Sequence, residues 1–290
     1  MRITVAKPLR LVAYVLTWNE AAKIRRSVTS LLQVTPQIVV VDSESTDETR
    51  AIATDLGADV VIHPFEGFSA QRNWALDYVK DRYQPDYVFS LDADEWLSDD
   101  LIEEIRKRMV DGTLGDYDVY LFHLQIRFAG RSLRWGGFAN TWLPRLFRTD
   151  AGRYENRTVN EHFAVRHTAT VARLPGTLEH GDVDSWEQYI AKHNGYSTLE
   201  AQARVELRRG AAEKTKWADA IRRPYLRHRW LRQHVWDRLP ARPALRFVQI
   251  YLIAGGFLDG RAGFRRALFE AWQEMCTDLK AEALTGTGQS

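Results

Sequence analysis

The chain has 290 residues, which is enough for one large domain or for a domain with a subdomain. Its composition, 45% hydrophobic and 27% charged, is ordinary for a soluble globular protein, and its net charge is only +2. The single Cys276 excludes an internal disulfide, which indicates a reducing compartment. The longest apolar stretch, residues 247–258, contains Gln249 and two glycines and cannot span a bilayer.

The first part of the chain alternates strand-like and helix-like patterns. Short apolar runs, rich in β-branched and aromatic residues, predict strands at residues 11–16, 38–41, 59–62 and 88–91, of which the first and the last are expected to be buried. Between the second and third strands, Ser45 and Glu48 have the spacing of a capping box, which predicts the start of a helix. Strand and helix alternate to about residue 110, which predicts an α/β fold with a parallel sheet and right-handed crossovers.

Acidic residues follow the fourth strand directly. The run ends in Asp92, Asp94 and Glu95, at the carboxyl edge where open α/β sheets place their ligands. Two aspartates one residue apart can share a hard cation, which prefers oxygen ligands. The alternative is an acidic turn in which Asp or Ser caps the helix that follows.

Polar residues also follow the first two strands. Asn19 and Glu20 come after the first strand, and Asp42 ends the second. Loops at the carboxyl ends of such strands are neighbours in space, so one edge of the sheet would carry acids for a base, a ribose and a metal, which suits a nucleoside diphosphate. Arg72, in the helix after the third strand, could contact the phosphates or pair with one of these acids.

The second half of the chain differs in pattern and charge. From about Ser185 the period is helical, which divides the chain into a predicted domain at residues 1–184 and a Trp-rich helical region at residues 185–290. Residues 201–270 contain 16 Lys and Arg against six Asp and Glu, a net charge of +10, which leaves −8 for the remainder. This asymmetry suggests an anionic partner or surface for the basic region.

Several segments together resemble the family 2 glycosyltransferases of GT-A fold. The matching segments are residues 16–20, 41–49, 71–76 and 91–95. A closer resemblance is to the bacterial branch that includes the lipopolysaccharide-core glucosyltransferases, because it extends to residues 158–161, 178–180 and 255–263. It covers most of residues 9–270. The resemblance implies an α/β fold of GT-A type, Rossmann-like and mainly parallel, with a C-terminal helical extension.

The resemblance also implies how the donor and a metal would be held. Thr17, Asn19 and Glu20 would line the nucleoside pocket, Asp42 would bind a uracil-type base, and Arg72 would contribute to donor binding. The metal, Mg²⁺ or Mn²⁺, would be bound at Asp92, Asp94 and His180. Asp92 would lie near the ribose, and the alternative for His180 is a polar residue in the turn before Gly181.

Inverting sugar transfer needs a general base beside the acceptor hydroxyl. Family members often use an acid of a Glu-Asp pair, which this sequence lacks. Glu161 is the predicted base; alternatively it is a surface carboxylate paired with Arg157 or Arg166. Asp182 and Glu155 are the reserve candidates.

The basic region has two interpretations. Its arginines and the residues Trp217, Trp230, Trp236 and Trp272 could lie on an anionic membrane surface, or the helices could pack on the sheet while the arginines are solvated. We favour the first, because related enzymes act on lipid-borne glycans. No motif supports nucleic-acid binding.

These features predict a metal-dependent hexosyltransferase of the cytoplasm, peripheral on the inner face of the cytoplasmic membrane. Its donor would be a nucleoside-diphosphate sugar, most readily UDP-linked, and its acceptor a lipopolysaccharide-core, capsule or other lipid-linked glycan. One alternative is a nucleotidyltransferase, which usually needs a Gly-rich phosphate loop that residues 17–19 do not supply. A non-catalytic glycan-binding protein is the other, and the intact set of acids argues against it.

Overall fold

The computed structural model describes residues 9–138, 140–155, 162–181, 183–210, 215–222 and 225–286. The chain divides into two compact units. The first comprises Met1–Ser132 and Phe138–Asp182, and the second comprises Leu133–Gly137 and Val183–Ser290.

The first unit is built on a mixed β-sheet. The strands of this unit are β1 (Leu11–Thr17), β2 (Ile38–Asp42), β3 (Asp59–Ile62), β4 (Tyr87–Asp92), β5 (Glu95–Leu97), β6 (Val119–Phe128), β7 (Arg131–Ser132), β8 (Trp142–Arg148), β9 (Gly152–Tyr154), β10 (Phe163–Val165) and β11 (Val171–His180). Within the described residues the sheet order is β3-β2-β1-β4-β8-β6-β11-β5, with β7 paired to β6. Strands β3, β2, β1 and β4 run parallel, whereas β8 is antiparallel to both of its neighbours.

Helices cover both faces of this sheet. They are α1 (Ile24–Leu32), α2 (Thr49–Asp55), α3 (Phe68–Tyr83) and α4 (Asp99–Asp111). Because successive strand residues point to opposite faces, Ala13 and Val15 of β1 join a core with α1, α2 and α4, whereas Val12 and Tyr14 join a core with α3. Burial of both faces explains why β1, β2 and β4 are continuous apolar runs in the sequence.

The second unit is helical. It contains α5 (Trp186–Arg209), α6 (Trp217–Arg222), α7 (Tyr225–His234), α8 (Arg242–Val248) and α9 (Gly260–Gly286), with a π-helical turn (Gln249–Ile253) and a 3₁₀ turn (Gly256–Asp259) between α8 and α9. The predicted fold class, an α/β sheet flanked by helices with a C-terminal helical region, is therefore confirmed. In the part of the chain that the structure describes, no helix is long and apolar enough to cross a membrane.

Internal ion pairs hold the helices of the second unit together. Buried Arg204 of α5 contacts Glu274 (2.9 Å) and Asp278 (2.5 Å) of α9, and Arg242 of α8 contacts Asp278 at 2.6 Å. Buried charges require such partners. The two sequence interpretations of the basic region, a membrane surface or solvation, are both wrong for these two arginines.

Acid is expected to destabilise the second unit through His193. Burial, only partly offset by its contact with Gln273 (2.7 Å), lowers the pKa of His193 to about 4. As pH falls below the ordinary value of about 6.5, the unfolded chain takes up this proton first, so the free energy of unfolding falls by up to about 3 kcal/mol between pH 6.5 and 4.

Urea unfolding of the wild type and of His193→Gln at a series of pH values measures this effect. The variant is expected to lose less stability than the wild type over the same interval. His167→Gln, at an exposed histidine, is the control and keeps the wild-type slope. Equal slopes in the wild type and His193→Gln would contradict the prediction.

Candidate functional site

The carboxyl ends of β1, β2 and β4 meet at one edge of the sheet. In the parallel register, Thr17 pairs with Asp42 and Leu16 pairs with Asp92. The structure therefore brings together the three strand ends that carry most of the predicted site residues, because parallel strands end on the same side.

The loop after β1 is fixed to the loop after β2 by hydrogen bonds. The Asn19 N–H donates to Ser45 Oγ (2.8 Å), and the Thr46 N–H donates to Asn19 Oδ1 (2.8 Å). Asn19 has a positive φ of 51°, a left-handed conformation that Asn adopts more readily than most residues. The Glu20 N–H donates to Thr49 Oγ1 (2.9 Å), at the first residue of α2 directly after the second loop. Asn19 and Glu20 thus shape one continuous rim.

Thr17 and Asp42 lie beneath this rim, and both are buried. Asp42 uses its two carboxylate oxygens inside the loop, where they accept from the N–H and the hydroxyl of Ser45 (2.9 and 2.5 Å). Because Asp42 is also fully buried, direct contact between its carboxylate and a ligand would require this loop to shift. Thr17 Oγ1, by contrast, is buried without a hydrogen bond to any residue that the structure describes.

The first turn of α3 holds three parts of the site through consecutive side chains. Gln71 donates to Ser43 Oγ (3.1 Å) in the loop after β2, and Asn73 exchanges two hydrogen bonds with the backbone of Tyr154 (2.9 and 3.0 Å). Between them, Arg72 points to the end of β4. One helical turn therefore positions the loop after β2, the end of β4 and the strand β9.

Asp92 is bound by two arginines. Arg72 Nη2 donates to both carboxylate oxygens (2.8 and 2.7 Å), and Arg145 of β8 donates to Asp92 Oδ2 (3.0 Å) and to Glu95 Oε1 (2.5 Å). Of the two roles considered for Arg72, the structure shows pairing with an acid. Asp92 remains 32% exposed at its side chain, so a ligand could reach it.

Burial and the arginines act in opposite directions on these acids. Burial would raise the pKa of Asp92, but the charges of Arg72 and Arg145 outweigh it and hold that pKa below its ordinary value. For Glu95 burial prevails over the attraction of Arg145, and its pKa is raised. Burial would lower the pKa of Arg145, yet the charges of Glu95 and Asp92 raise it. The cluster thus keeps Asp92 ionised.

Sequence reasoning did not identify Arg145 or Tyr154 as members of the site, and it placed Glu95 at this edge without giving it a role. Tyr154 contacts Ser90 through its hydroxyl (3.1 Å) and lies beside Arg72, whose guanidinium carbon is 5.3 Å from the ring centroid. The sequence did contain one signal for this cluster of charges. Arg145 is a single charge inside an apolar strand, and such a charge is rarely buried without a partner.

Asp94 and His180 come together from different strands. Asp94 lies in the turn between β4 and β5, and His180 ends β11, where it pairs with Glu95 of β5. His180 Nε2 is 3.7 Å from Asp94 Oδ2, and the Gly181 N–H donates to the Asp94 carbonyl oxygen (2.7 Å). The following helix, α4, is capped by Ser98, as the alternative of an acidic turn with an Asp or Ser cap allowed. That cap explains neither aspartate.

The donor chemistry of this pair fits a divalent cation. Among the described residues, no group of three or more His, Cys, Asp or Glu could hold a metal ion. A carboxylate and an imidazole are nevertheless suitable donors, and Mg²⁺ sites often use one or two protein carboxylates together with substrate phosphates. Asp94 and His180 fit such a site, whereas ligation by Asp92 would compete with its arginines.

The predicted base cannot be located, because Glu161 and the reserve candidate Asp182 lie outside the described residues. Glu155, the other reserve, is half-buried at the end of β9, where its N–H donates to the His162 carbonyl oxygen (2.9 Å).

Comparisons with known proteins agree on one family. The model of "Glycosyl transferase family 2" matches residues 13–173. A Rickettsia prowazekii protein named "Uncharacterized glycosyltransferase RP128" is 30% identical over 201 residues, which are 67% of each chain. The "Lipopolysaccharide core biosynthesis glycosyltransferase LpsC" of Rhizobium meliloti is 29% identical over 206 residues, 68% of this chain and 73% of the relative.

Among solved structures, this chain is similar to the mannosyltransferase PcManGT from Pyrobaculum calidifontis in complex with GDP-Man and Mn²⁺. The identity is 15%, the TM-score is 0.49, and the match covers 95% of this chain and 88% of the other.

Proposed function

The chain belongs to glycosyl transferase family 2, and from this premise we propose that it is an inverting hexosyltransferase. It moves a sugar from a nucleoside-diphosphate sugar, with UDP as the favoured nucleotide, to an acceptor hydroxyl. The observation that carries the proposal is the Asp94–His180 pair at the edge where β1 and β4 end. Residues 1–184 carry the chemistry, and residues 185–290 form an accessory helical region.

The acceptor in this proposal is a lipopolysaccharide-core, capsule or other lipid-linked glycan. The name of the Rhizobium relative, which refers to lipopolysaccharide core biosynthesis, supports this class. The reaction would take place in the cytoplasm, at the inner face of the cytoplasmic membrane, because a lipid-linked acceptor is held there.

The donor nucleoside would bind between the loops after β1 and β2. Asn19 and Glu20 form the rim, and Thr17 Oγ1, buried without a hydrogen bond to any described residue, is prepared to receive one from a ligand. Asp42 would bind the base after a shift of the loop that follows β2, because the Ser45 N–H in this loop now donates to the Asp42 carboxylate. Arg72 and Arg145 orient Asp92, whose ionised oxygens would accept from the ribose hydroxyls.

Asp94 and His180 would hold Mg²⁺ or Mn²⁺. When bound, the cation would neutralise charge on the departing diphosphate. Arg72 and Arg145 add fixed positive charge to the same edge, although in this structure both are directed to Asp92.

The transfer itself would be a direct displacement. Glu161 would accept the proton of the acceptor hydroxyl while the hydroxyl oxygen attacks the anomeric carbon. The bond from that carbon to the diphosphate breaks on the opposite face, and the nucleoside diphosphate leaves with the bonding electrons. A single in-line step of this kind inverts the anomeric centre.

Thermal unfolding with nucleotides tests the proposal. Nucleoside diphosphates and their sugars, each with Mn²⁺, are expected to raise the melting temperature of the wild type by about 5 °C near saturation, because they bind only the folded state. The matching nucleoside monophosphates, which lack the diphosphate, are the control and give a smaller shift.

Product analysis then separates the alternatives. Release of a nucleoside diphosphate from the sugar donor is the expected result. Release of pyrophosphate would instead indicate nucleotidyl transfer, and glycan binding without any nucleotide binding would indicate a binding protein. Either outcome would overturn the proposal.

A further inference from the structure

The connection between α8 and α9 exposes a group of large apolar side chains. Together with the exposed Trp135 of the segment Leu133–Gly137, this group is called the tip. Its residues are Trp135, Leu252, Ile253, Phe257 and Leu258. Ile253 is 78% exposed, and the other four are about half exposed. All five belong to the second unit. Groups of exposed large apolar side chains mark protein, membrane or ligand interaction sites.

The backbone of the tip is firmly built. The carboxylate of Asp259 accepts the N–H groups of Arg134 (3.1 Å) and Trp135 (2.9 Å). A side chain at Gly263 would overlap the carbonyl oxygen of Gly256, so the start of α9 lies directly against the 3₁₀ turn. The exposure of the apolar residues is therefore imposed by the fold.

Positive charges lie close to the tip in the chain. Arg134, Arg261 and Arg265 are exposed, and none of them forms an ion pair with an acid that the structure describes. By contrast, Arg246 and Arg266 both pair with Glu270. The only acid in residues 248–268 is Asp259, whose carboxylate already binds backbone N–H groups. The tip thus combines apolar side chains with unneutralised cations.

We propose that the tip inserts into the surface of an anionic lipid bilayer. Apolar and Trp side chains beside arginines form the combination that binds at the boundary of headgroups and acyl chains, where anionic phosphates attract the cations. A symmetric contact between two copies would bring the same arginines face to face, which disfavours self-association. The inference rests on the proposed function for its biological role, since it names the surface that holds the enzyme at a lipid-borne acceptor.

Sedimentation with lipid vesicles tests this inference on the full chain. The wild type is expected to bind vesicles that contain phosphatidylglycerol more tightly than vesicles of phosphatidylcholine alone, and added salt weakens the binding. Ile253→Glu is expected to lower the partition coefficient roughly tenfold or more, because it removes an inserted apolar side chain. Arg261→Gln combined with Arg265→Gln lowers it roughly twentyfold on anionic vesicles.

Val110→Glu is the matched control. Val110 is 90% exposed on α4 in the first unit, so the same chemical change is made away from the tip, and vesicle binding should stay at the wild-type level. Circular dichroism and thermal unfolding verify that every variant is folded. Vesicle binding by Ile253→Glu equal to that of the wild type would overturn the inference. So would a wild-type dimer that this variant converts to a monomer without any loss of vesicle binding.

Donor hydrolysis in solution, without vesicles, separates this inference from the proposed function. Ile253→Glu should hydrolyse the sugar nucleotide as the wild type does, because Ile253 is not among the residues proposed to bind the donor. If the wild type binds vesicles through the tip but turns over no donor, the lipid inference holds and the proposed function fails.

Discussion

Asp94→Asn is expected to lower the rate of donor turnover roughly 10²- to 10³-fold while the protein stays folded. The substitution keeps the size of the side chain but removes the negative charge beside His180, 3.7 Å away. The pair would then bind a divalent cation weakly, and charge developing on the leaving diphosphate would lose its compensation. Release of the nucleoside diphosphate at saturating donor measures the effect.

A titration with Mn²⁺ identifies the cause of the loss. Asp94→Asn should need a higher Mn²⁺ concentration for half-maximal turnover, and His180→Asn should show a smaller shift in the same direction. Asp77→Asn is the control, because Asp77 is a half-exposed acid of α3 that pairs with Arg153 outside the site. Normal turnover and unchanged Mn²⁺ dependence in Asp94→Asn would remove the argument for a cation at this pair.

Arg145→Met is expected to lower the free energy of unfolding by about 3–5 kcal/mol. Arg145 is buried and donates to both Glu95 and Asp92. Its removal leaves Glu95, whose side chain is only 2% exposed, without that cation, and an unpaired buried charge is costly. Urea unfolding at neutral pH measures the loss, and the double variant Arg145→Met with Glu95→Gln should recover part of it.

The loss of unfolding free energy in Arg145→Met should become smaller as the pH falls. Burial already raises the pKa of Glu95, and Arg145 opposes that shift, so removing Arg145 raises the pKa further. A carboxyl group whose folded pKa lies above its unfolded value stabilises the folded state as pH falls. The deficit of Arg145→Met should therefore be smaller at about pH 5 than at about pH 8.

Arg153→Met provides the comparison. Arg153 pairs with Asp77 at 2.7 Å, but both side chains are about half exposed, and such pairs contribute less than about 1 kcal/mol. An equal loss of stability in the two variants would contradict the assignment of Arg145 to a buried cluster.

The strands and the edge of the site could be predicted from the sequence because their signals are local. The runs that become β1 to β4 contain three to six apolar residues each, and the polar residues that follow them mark the carboxyl ends. Two contacts between residues far apart in the chain were harder to predict from the sequence. Arg145 reaches Glu95 across 50 residues, and His180 reaches Asp94 across 86 residues, although the second contact was anticipated from the family resemblance.

The same difficulty affected the basic region. Its charge of +10 suggested one basic surface, because Glu274 and Asp278 of α9, which pair with Arg204 and Arg242, lie beyond the segment that was counted. Exposed cations and apolar residues are instead found together at the tip, which the sequence indicated only as an apolar stretch interrupted by glycines.

The sequence by itself determined the family, the α/β class, the strand ends that carry acids and the helical second half, since each follows from residues close together in the chain. The tertiary structure decided which charges are neutralised: Asp92 by two arginines, Arg204 by acids of α9, and the arginines at the tip by no described acid. The physical reason is that burial and charge pairing depend on contacts between distant residues, and these contacts exist only once the chain has folded.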